Sequence, residues 1–488
     1  DHALVMLGAM HVGVPVAPIS AAYSLLSRDF AKLRAIFELV APGLVFVDDA
    51  APPGAFAPAL EAVGARATPL AALFDEPDAA ARRRVDAAFA AVGPDTVAKI
   101  LFTSGSTGIP KGVLNTQRML CASQEGLAAG WPFLASRPPV VVDWLPWSHT
   151  FGGNHNFNLV LRNGGTLYVD DGKPAPGRIE RTVRNLTEVS PTAYFNVPRG
   201  FDLLLPYLEA DAALRASFFR ELDLVFYAAA ALPPNLWARL EALAHAERGG
   251  RLAMFSAWGA TETSPLATQV HFPIDRAGVI GLPIAGSELK LVPAADKLEA
   301  RVRGPNVTPG YVKRPDLTRA AFDEEGFYRT GDAMKLADPE HPERGVVFDG
   351  RVAEDFKLTT GTWVHVGSLR TRLIAAADPF VQDAVIAGHD RDEVGALVFL
   401  TMHARARSPE VVRARLVEAL DALGEEPGGS SMRPCRVLVL DEPASLDDGE
   451  ITDKGYLNQR CILDRRAALV EELYRGGERV IVGARASK

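Results

Sequence analysis

A chain of 488 residues is too long for one ordinary hydrophobic core, so two or more domains are expected. With 48% hydrophobic and 23% charged residues it has the make-up of a globular enzyme, and a net charge of −8 with no basic stripe argues against nucleic acid as a partner. Three scattered cysteines, Cys121, Cys435 and Cys461, make neither a disulfide framework nor a metal cluster and fit a reducing, cytoplasmic setting.

Residues 1–48 read as helix, short strand, helix and strand, the last at Leu44–Val47. The apolar run Leu4–Ile19 is broken by His11, Gly13, Pro15 and Pro18 and is too short for a membrane span. A packed pattern begins at Asp1 itself, and the start of this domain is expected to be missing. Residues 50–95 are rich in alanine and proline, with one helix expected near Ala79–Ala91. An apolar strand, Ile100–Phe102, then breaks into a loop dense in hydroxyls and glycines. Helix and strand alternate from there: helices at Thr116–Ala129, Ile179–Glu188, Gly200–Glu209 and Pro233–Ala246, strands at Val140–Asp143, Thr192–Asn196, Leu222–Tyr227 and Leu252–Ala257. Such alternation implies an α/β fold, a mostly parallel sheet wrapped by helices, with ligands beyond the carboxyl ends of the strands. Past Gly281 short alternating strands at Glu288–Pro293 and Lys297–Arg303 indicate a β-subdomain, about 281–350. After Gly350 short strands, a helix near Pro409–Leu423 and a turn at Gly428-Gly429 indicate a small α+β domain, 351–488, following a large domain, 1–350.

Five stretches carry chemistry. In the first, Thr103, Ser104, Ser106 and Thr107 offer hydroxyls, Gly105, Gly108 and Gly112 lack Cβ, and Lys111 supplies a cation. Together they make a cradle for phosphate oxygens, distinct from GxxxxGK[ST] because Gly112 follows the lysine. The second, Trp147-Ser-His149-Thr-Phe151-Gly152-Gly153-Asn154, sets an aromatic wall and a histidine beside glycines. A lone histidine among aromatics also reads as a core residue, and His149 and His155 lack zinc spacing. The third is Trp258-Gly259-Ala260-Thr261-Glu262-Thr263. There Gly259 admits a flat ligand, Thr261 can bond a phosphate, and Glu262 is a hard oxygen ligand for Mg²⁺. A helix cap would use similar letters. The fourth is Gly326-Phe-Tyr328-Arg-Thr330-Gly331-Asp332, and the fifth is Glu450-Ile-Thr-Asp-Lys454-Gly-Tyr456.

These blocks, in this order, resemble the signature of the adenylate-forming (AMP-binding) superfamily of acyl-CoA synthetases, adenylation domains and luciferases. Their wording is most similar to the feruloyl-CoA synthases, or hydroxycinnamate-CoA ligases. The resemblance implies an enzyme that uses ATP, Mg²⁺ and CoA to join a small carboxylic acid to a thiol, with a small mobile C-terminal domain. The expected acid is aromatic, such as ferulate. It places adenine against Ala229 and Ala230, and the ribose hydroxyls on Asp332, whose two oxygens accept both. It places Arg351 on ribose and phosphates, His149, Phe151, Gly152 and Trp258 around the acid, and Gly361 in the thiol channel. Ala353 stands where a charged hinge residue is usual. The family's adenylating lysine falls on Tyr456 in an ungapped match, with Lys454 two places earlier as the candidate cation. Transfer of the acyl-AMP to a carrier protein, or nucleotide binding without catalysis, are the alternative functions, and monomer and homodimer are both open.

Overall fold

The structure, a computed structural model, describes residues 1–47, 51–73, 76–104, 110–175, 177–230, 232–425, 429–452 and 455–483. The chain forms two compact units. The first comprises residues 1–291, 300–330 and 336–347, and the second 292–299, 331–335 and 348–488. Among the described residues no helix is long and apolar enough to cross a membrane.

In the first unit, β1 (Val97–Ser104) and β2 (Pro110–Thr116) form an antiparallel hairpin in which Thr103 lies opposite Lys111. The loop between them was expected to leave a strand of the parallel sheet, but it instead links two antiparallel strands of a sheet of their own. Strands β3 (Val140–Asp143) and β4 (Thr166–Val169) pair in parallel. The central layer is β5 (Ala193–Asn196), β6 (Leu224–Tyr227) and β7 (Ala253–Gly259), all parallel. It continues antiparallel into β8 (Leu266–Gln269) and β9 (Val279–Pro283).

Side-chain alternation divides the central layer between two cores. Tyr194, Val225, Tyr227 and Met254 face Phe201, Leu204, Phe218 and Leu240 from the helices Pro198–Ala210, Ala212–Arg220 and Pro234–Arg248. Ala193, Phe195, Leu224 and Phe226 face the other way, towards Leu127 on the helix Gln117–Gly130, Trp131 just after it, and Phe151 and Leu159. Helix starts follow local chemistry: Thr116 Oγ1 accepts from the Met119 amide, and Pro198 and Pro234 open their helices, where a missing N–H costs nothing. The strand expected at Leu44–Val47 does not form; Leu44 is exposed and Val45 accepts a single backbone bond from Thr68.

Strands β10 (Glu288–Ala294), β11 (Lys297–Arg303), β12 (Tyr328–Leu336) and β13 (Val346–Arg351) contribute residues to both units. The second unit continues with the short strands β14 (Phe356–Lys357) and β15 (Trp363–Val364), which pair antiparallel. Its main sheet runs β16 (Val381–Ala387), β17 (Val394–Leu400), β18 (Pro434–Val439) and β19 (Val480–Val482) in that order, with only β17 and β18 parallel. Helices cover both faces. Val366–Ala376 and Pro409–Glu425 pack on Ala384, Ile386, Ala396, Val398 and Val437. Gln459–Arg465 and Ala467–Arg475 pack on Val385, Ala387, Leu397, Phe399 and Leu438. Every residue of β17 is buried, as two covered faces require. Only one of these four helices, Pro409–Glu425, was expected.

Candidate active site

In the first unit Gly105, Ser106, Thr107 and Gly108 lie outside the described residues, so the hydroxyl-rich loop is described by its flanks alone. Thr103 and Ser104 end β1 and Lys111 lies near the start of β2. Along the outer edge of β2, Leu114 N–H donates to the Gly310 carbonyl and Val312 N–H to the Gly112 carbonyl. A side chain at Gly112 would press on Ile100 and Val312, 3.1 and 3.2 Å away. This pairing sets Tyr311 beside Lys111, whose Nζ sits 5.1 Å from the ring centroid.

Tyr311 Oη donates to Glu262 Oε1 at 2.9 Å, and the Thr308 amide donates to the Glu262 carbonyl at 2.8 Å. Glu262, Thr261 and Thr263 are buried in a short 3-10 turn after β7. Burial, then the Glu262 charge, raises the Tyr311 phenol, and burial and the same carboxylate raise Tyr328 well above its ordinary value. Both hydroxyls therefore stay protonated beside the carboxylate, and Tyr311 serves as its donor. Asn306 holds the turn from behind, donating to the carbonyls of Thr263 and Leu266 at 3.3 and 2.6 Å. Gly259 has no room for a side chain: a Cβ would lie 1.7 Å from the Pro265 carbonyl oxygen.

The parallel layer brings the third block to Ala229 and Ala230. β6 and β7 pair with Tyr227 opposite Ser256, so Ala229–Ala230 and Gly259–Glu262 leave adjacent strands at their carboxyl ends. Ala229 is exposed, with φ +76°, and Ala230 is exposed beside it. Trp258 is half-buried at the end of β7.

The histidine block runs from β3 into a π-helical turn, Phe151–Asn156. His149 is half-buried, and its Nδ1 accepts from the Phe151 amide at 3.3 Å, which leaves the proton on Nε2. Phe151 is buried edge-on to Phe226, 5.7 Å away, and Gly152 lets the turn close on the 145–146 backbone, where a Cβ would be 2.5 Å from the Leu145 oxygen. Deeper in, His155 Nδ1 lies 2.8 Å from Asn156 Oδ1, and burial holds its imidazole down to about 4. Asp143, at the end of β3, is pushed up to about 7 by burial, against bonds from Asn156 and the Leu145 amide.

In the second unit the structure brings Asp332 and Arg351 together, Arg351 Nε 3.3 Å from Asp332 Oδ1, with the arginine side chain 62% exposed and the aspartate 13%. The Val352 amide donates to the Gly331 carbonyl, tying the two short segments at their bases. Gly361, with φ +80°, closes the tight turn between β14 and β15, a conformation that strains other residues. Asp355, two residues past Ala353, accepts from the Val366 amide at 3.1 Å and meets His365 Nδ1 at 3.0 Å, while Lys297 pairs with it in a buried contact. Lys454 lies outside the described residues. Nearby, Thr452 N–H donates to the Tyr456 carbonyl at 2.8 Å, and burial pushes the Tyr456 phenol up to about 12.

A model of the family described as AMP-binding enzyme matches residues 1–312. The chain belongs to the AMP-binding enzyme family. A second model, the AMP-binding enzyme C-terminal domain, matches residues 357–478. The carboxylic acid reductase of Segniliparus rugosus is 25% identical over 414 residues, which cover 78% of this chain and 33% of that protein. The probable acyl-activating enzyme 16 of Arabidopsis thaliana is 24% identical over 476 residues, 79% of this chain and 64% of that one. The chain therefore spans between a third and just under two thirds of these relatives. Among solved structures, malonyl-CoA ligase in a ternary product complex with methylmalonyl-CoA and AMP superimposes with a TM-score of 0.55 at 27% identity, covering 90% of this chain and 87% of that one. The α/β architecture, a large N-terminal domain followed by a smaller one, is that of the adenylate-forming enzymes.

Tyr311, Tyr328 and Asn306 had no role in the sequence reading. The signal for Tyr311 was its place after Pro309-Gly310, a turn that has to deliver something. That this was the third block appears only in the fold.

Among the described residues no group of three or more His, Cys, Asp or Glu could enclose a metal. One buried carboxylate, Glu262, fits a Mg²⁺ that takes the rest of its shell from phosphate and water, and does not fit an all-protein metal cage.

Proposed function

We propose that this AMP-binding enzyme is an ATP-dependent acid–CoA ligase acting on an aromatic propenoic acid such as ferulate. The observation that carries the reading is the line Lys111–Tyr311–Glu262: the cation flanking a hydroxyl-rich loop, and a buried carboxylate, share one tyrosine. A substrate with several phosphates needs a cation and a metal-type carboxylate in just such company. The aromatic acid is supported by the wording of the blocks and by the aromatics at the histidine block and at Trp258.

In the first step a carboxylate oxygen of the acid attacks the α-phosphorus of ATP, and the bond to pyrophosphate breaks. In the second the CoA sulfur attacks the acyl carbon; the bond to AMP breaks and the thiol proton leaves to solvent. Lys111 counters phosphate charge, Thr261 and the loop hydroxyls donate to phosphate oxygens, and Asp332 accepts the ribose hydroxyls. Mg²⁺ bound through Glu262 would neutralise phosphate charge. Tyr311 holds that carboxylate in place. Orientation by these groups replaces a bimolecular encounter with a positioned one.

A second reading is that the acyl group of the acyl-AMP is passed to a carrier protein, which the name of one relative, a long-chain-fatty-acid–acyl-carrier-protein ligase of Arabidopsis thaliana, favours. Pyrophosphate exchange with ferulate, octanoate and malonate, each with and without CoA, tests both. The expected result is exchange with ferulate and feruloyl-CoA when CoA is present. Exchange without thioester would select the second reading, and no exchange with any acid would reject adenylation.

A further inference from the structure

A π-turn spoils the regular i to i−4 bonding of a helix, so its carbonyls need other donors. In Phe151–Asn156 side chains supply them. Gln124 Nε2 donates to the carbonyls of Asn154 and His155, at 2.9 and 3.3 Å. Lys99 Nζ donates to the Gly153 carbonyl at 3.0 Å and to Asn154 Oδ1 at 3.2 Å. Lys99 is fully buried in β1, four residues before Thr103, and among the described residues no carboxylate pairs with it. Burial alone pulls its amine down to about 8.

A buried cation is a costly donor for two neutral oxygens. Its placement gives it a use. Asn154 is gripped from both sides of the hairpin: its Oδ1 by Lys99 on β1, and its Nδ2, donating at 2.8 Å, by Asn115 Oδ1 on β2. Asn154 Nδ2 also donates to Thr150 Oγ1 at 3.2 Å, and the Gly153 amide donates to the His149 carbonyl at 2.8 Å. The strands that flank the phosphate loop are thus tied, through one asparagine and one glycine peptide, to the segment that carries His149.

We propose that Lys99 is a positioning residue that locks the His149-bearing π-turn to the phosphate-loop hairpin and so fixes the acid relative to the nucleotide. The role of the turn in holding the acid rests on the proposed function; the clamp itself rests on the bonds above. The charge lets one side chain hold two acceptors more strongly than a neutral amide, and its stem spans the distance from β1 without a second residue.

The test uses the full chain and ferulate. Lys99→Met keeps the stem and removes the donors. Pyrophosphate exchange is expected to show KM for ferulate raised roughly 10- to 100-fold, the size of one hydrogen bond to a charged group, with KM for ATP changed less than about twofold. Lys99→Arg is expected to recover part of that loss. Amide hydrogen exchange of residues 151–156 is expected to speed up by about tenfold or more in Lys99→Met. Equal loss in both KM values and in kcat, or no change, would overturn the proposal. If Lys99→Met does not fold, Asn115→Ala, which cuts the other arm of the clamp, is expected to give the same selective rise, and its absence has the same force. If the wild type shows no exchange with any acid, the proposed function fails, and the clamp stands or falls on the amide exchange of 151–156 alone.

Discussion

At the residue scale, Tyr311 joins two groups that the sequence separates by 151 positions, Lys111 and Glu262, by presenting its ring to one and its hydroxyl to the other. Tyr311→Phe keeps the ring and deletes the donor, so Lys111 keeps its seat while Glu262 loses one bond. A hydrogen bond to a charged acceptor is worth about 1.5–3 kcal/mol. Adenylation is expected to slow roughly 10- to 100-fold with a raised Mg²⁺ requirement, and an unchanged Mg²⁺ titration would refute the role. His155 and Asp143 give opposite pH signatures. His155 is held neutral, its folded value about 4 against 6.5 unfolded, so it contributes stability above about 6.5 that is lost as pH falls towards 4. Asp143 is held protonated, about 7 against 3.8, so its contribution is present at low pH and lost as pH rises through 7. The two offset each other between pH 4 and 6.5. His155→Phe removes one of them, and the first unit is then expected to gain up to about 3 kcal/mol relative to wild type between pH 6.5 and 4.5. Parallel urea midpoints for the two proteins across that window would rule this out. The block letters Thr261-Glu262-Thr263 were legible in the sequence, but the hydroxyl that holds Glu262 was not, because it arrives by tertiary pairing from Tyr311.

At the element scale, the longer helices of the first unit were legible and strand partners were not. Helix signals are local: the helix at 179–188 forms where expected on the helical spacing of Ile179, Thr182 and Leu186, which it buries, and the one starting after Thr116 is capped by that residue. Partner choice is non-local: the pattern around Ile100–Phe102 marks a strand but does not say that Pro110–Thr116 pairs with it. Besides Pro409–Glu425, the α-helices of the second unit escaped, among them Val366–Ala376, whose apolar stripe is interrupted by Gly367, Ser368 and Arg370, and Met402–Arg405 and Gln459–Arg465, which are short. The stretch Glu450–Tyr456 depends on such an element. Glu450 accepts from Arg466 at 2.8 and 2.6 Å and from the Ser445 amide at 2.9 Å, and Arg466 also donates to the carbonyls of Glu442 and Pro443. Burial works against the charge, but Arg466 and the Ser445 amide win and hold the Glu450 carboxyl below its ordinary value. Cutting one partner of a buried pair costs about 3–5 kcal/mol. Glu450→Ala is expected to destabilise the second unit by about 3 kcal/mol and to speed amide exchange at 451–457 first. A global shift without that local one would place the pair elsewhere in the energetics.

At the scale of the whole molecule, both cores of the second unit draw every member from residues 356–481. A fragment 348–488 therefore carries a complete sheet with both faces covered, and is expected to fold and unfold cooperatively by itself. It lacks residues 292–299, which the compact unit includes, and with them Lys297. In the full chain Asp355 is buried between Lys297, His365 and the Val366 amide, at the start of the helix Val366–Ala376. There Asp355→Asn removes the charge that Lys297 needs, and a loss of about 3 kcal/mol or more is expected. In the fragment no lysine is left behind, Asn keeps an oxygen for the Val366 amide, and what is at stake is the contact with His365 Nδ1 and a helix-dipole contribution of about 0.3–1 kcal/mol. The same substitution should thus be severe in one context and mild in the other, read as urea midpoints of the second unit's transition. Equal losses in both would mean that Asp355 serves its own helix and not the segment 292–299. That result would return the boundary to a simple cut near Gly350, as the change of pattern in the sequence has it, and leave Lys297 with no part in the smaller domain.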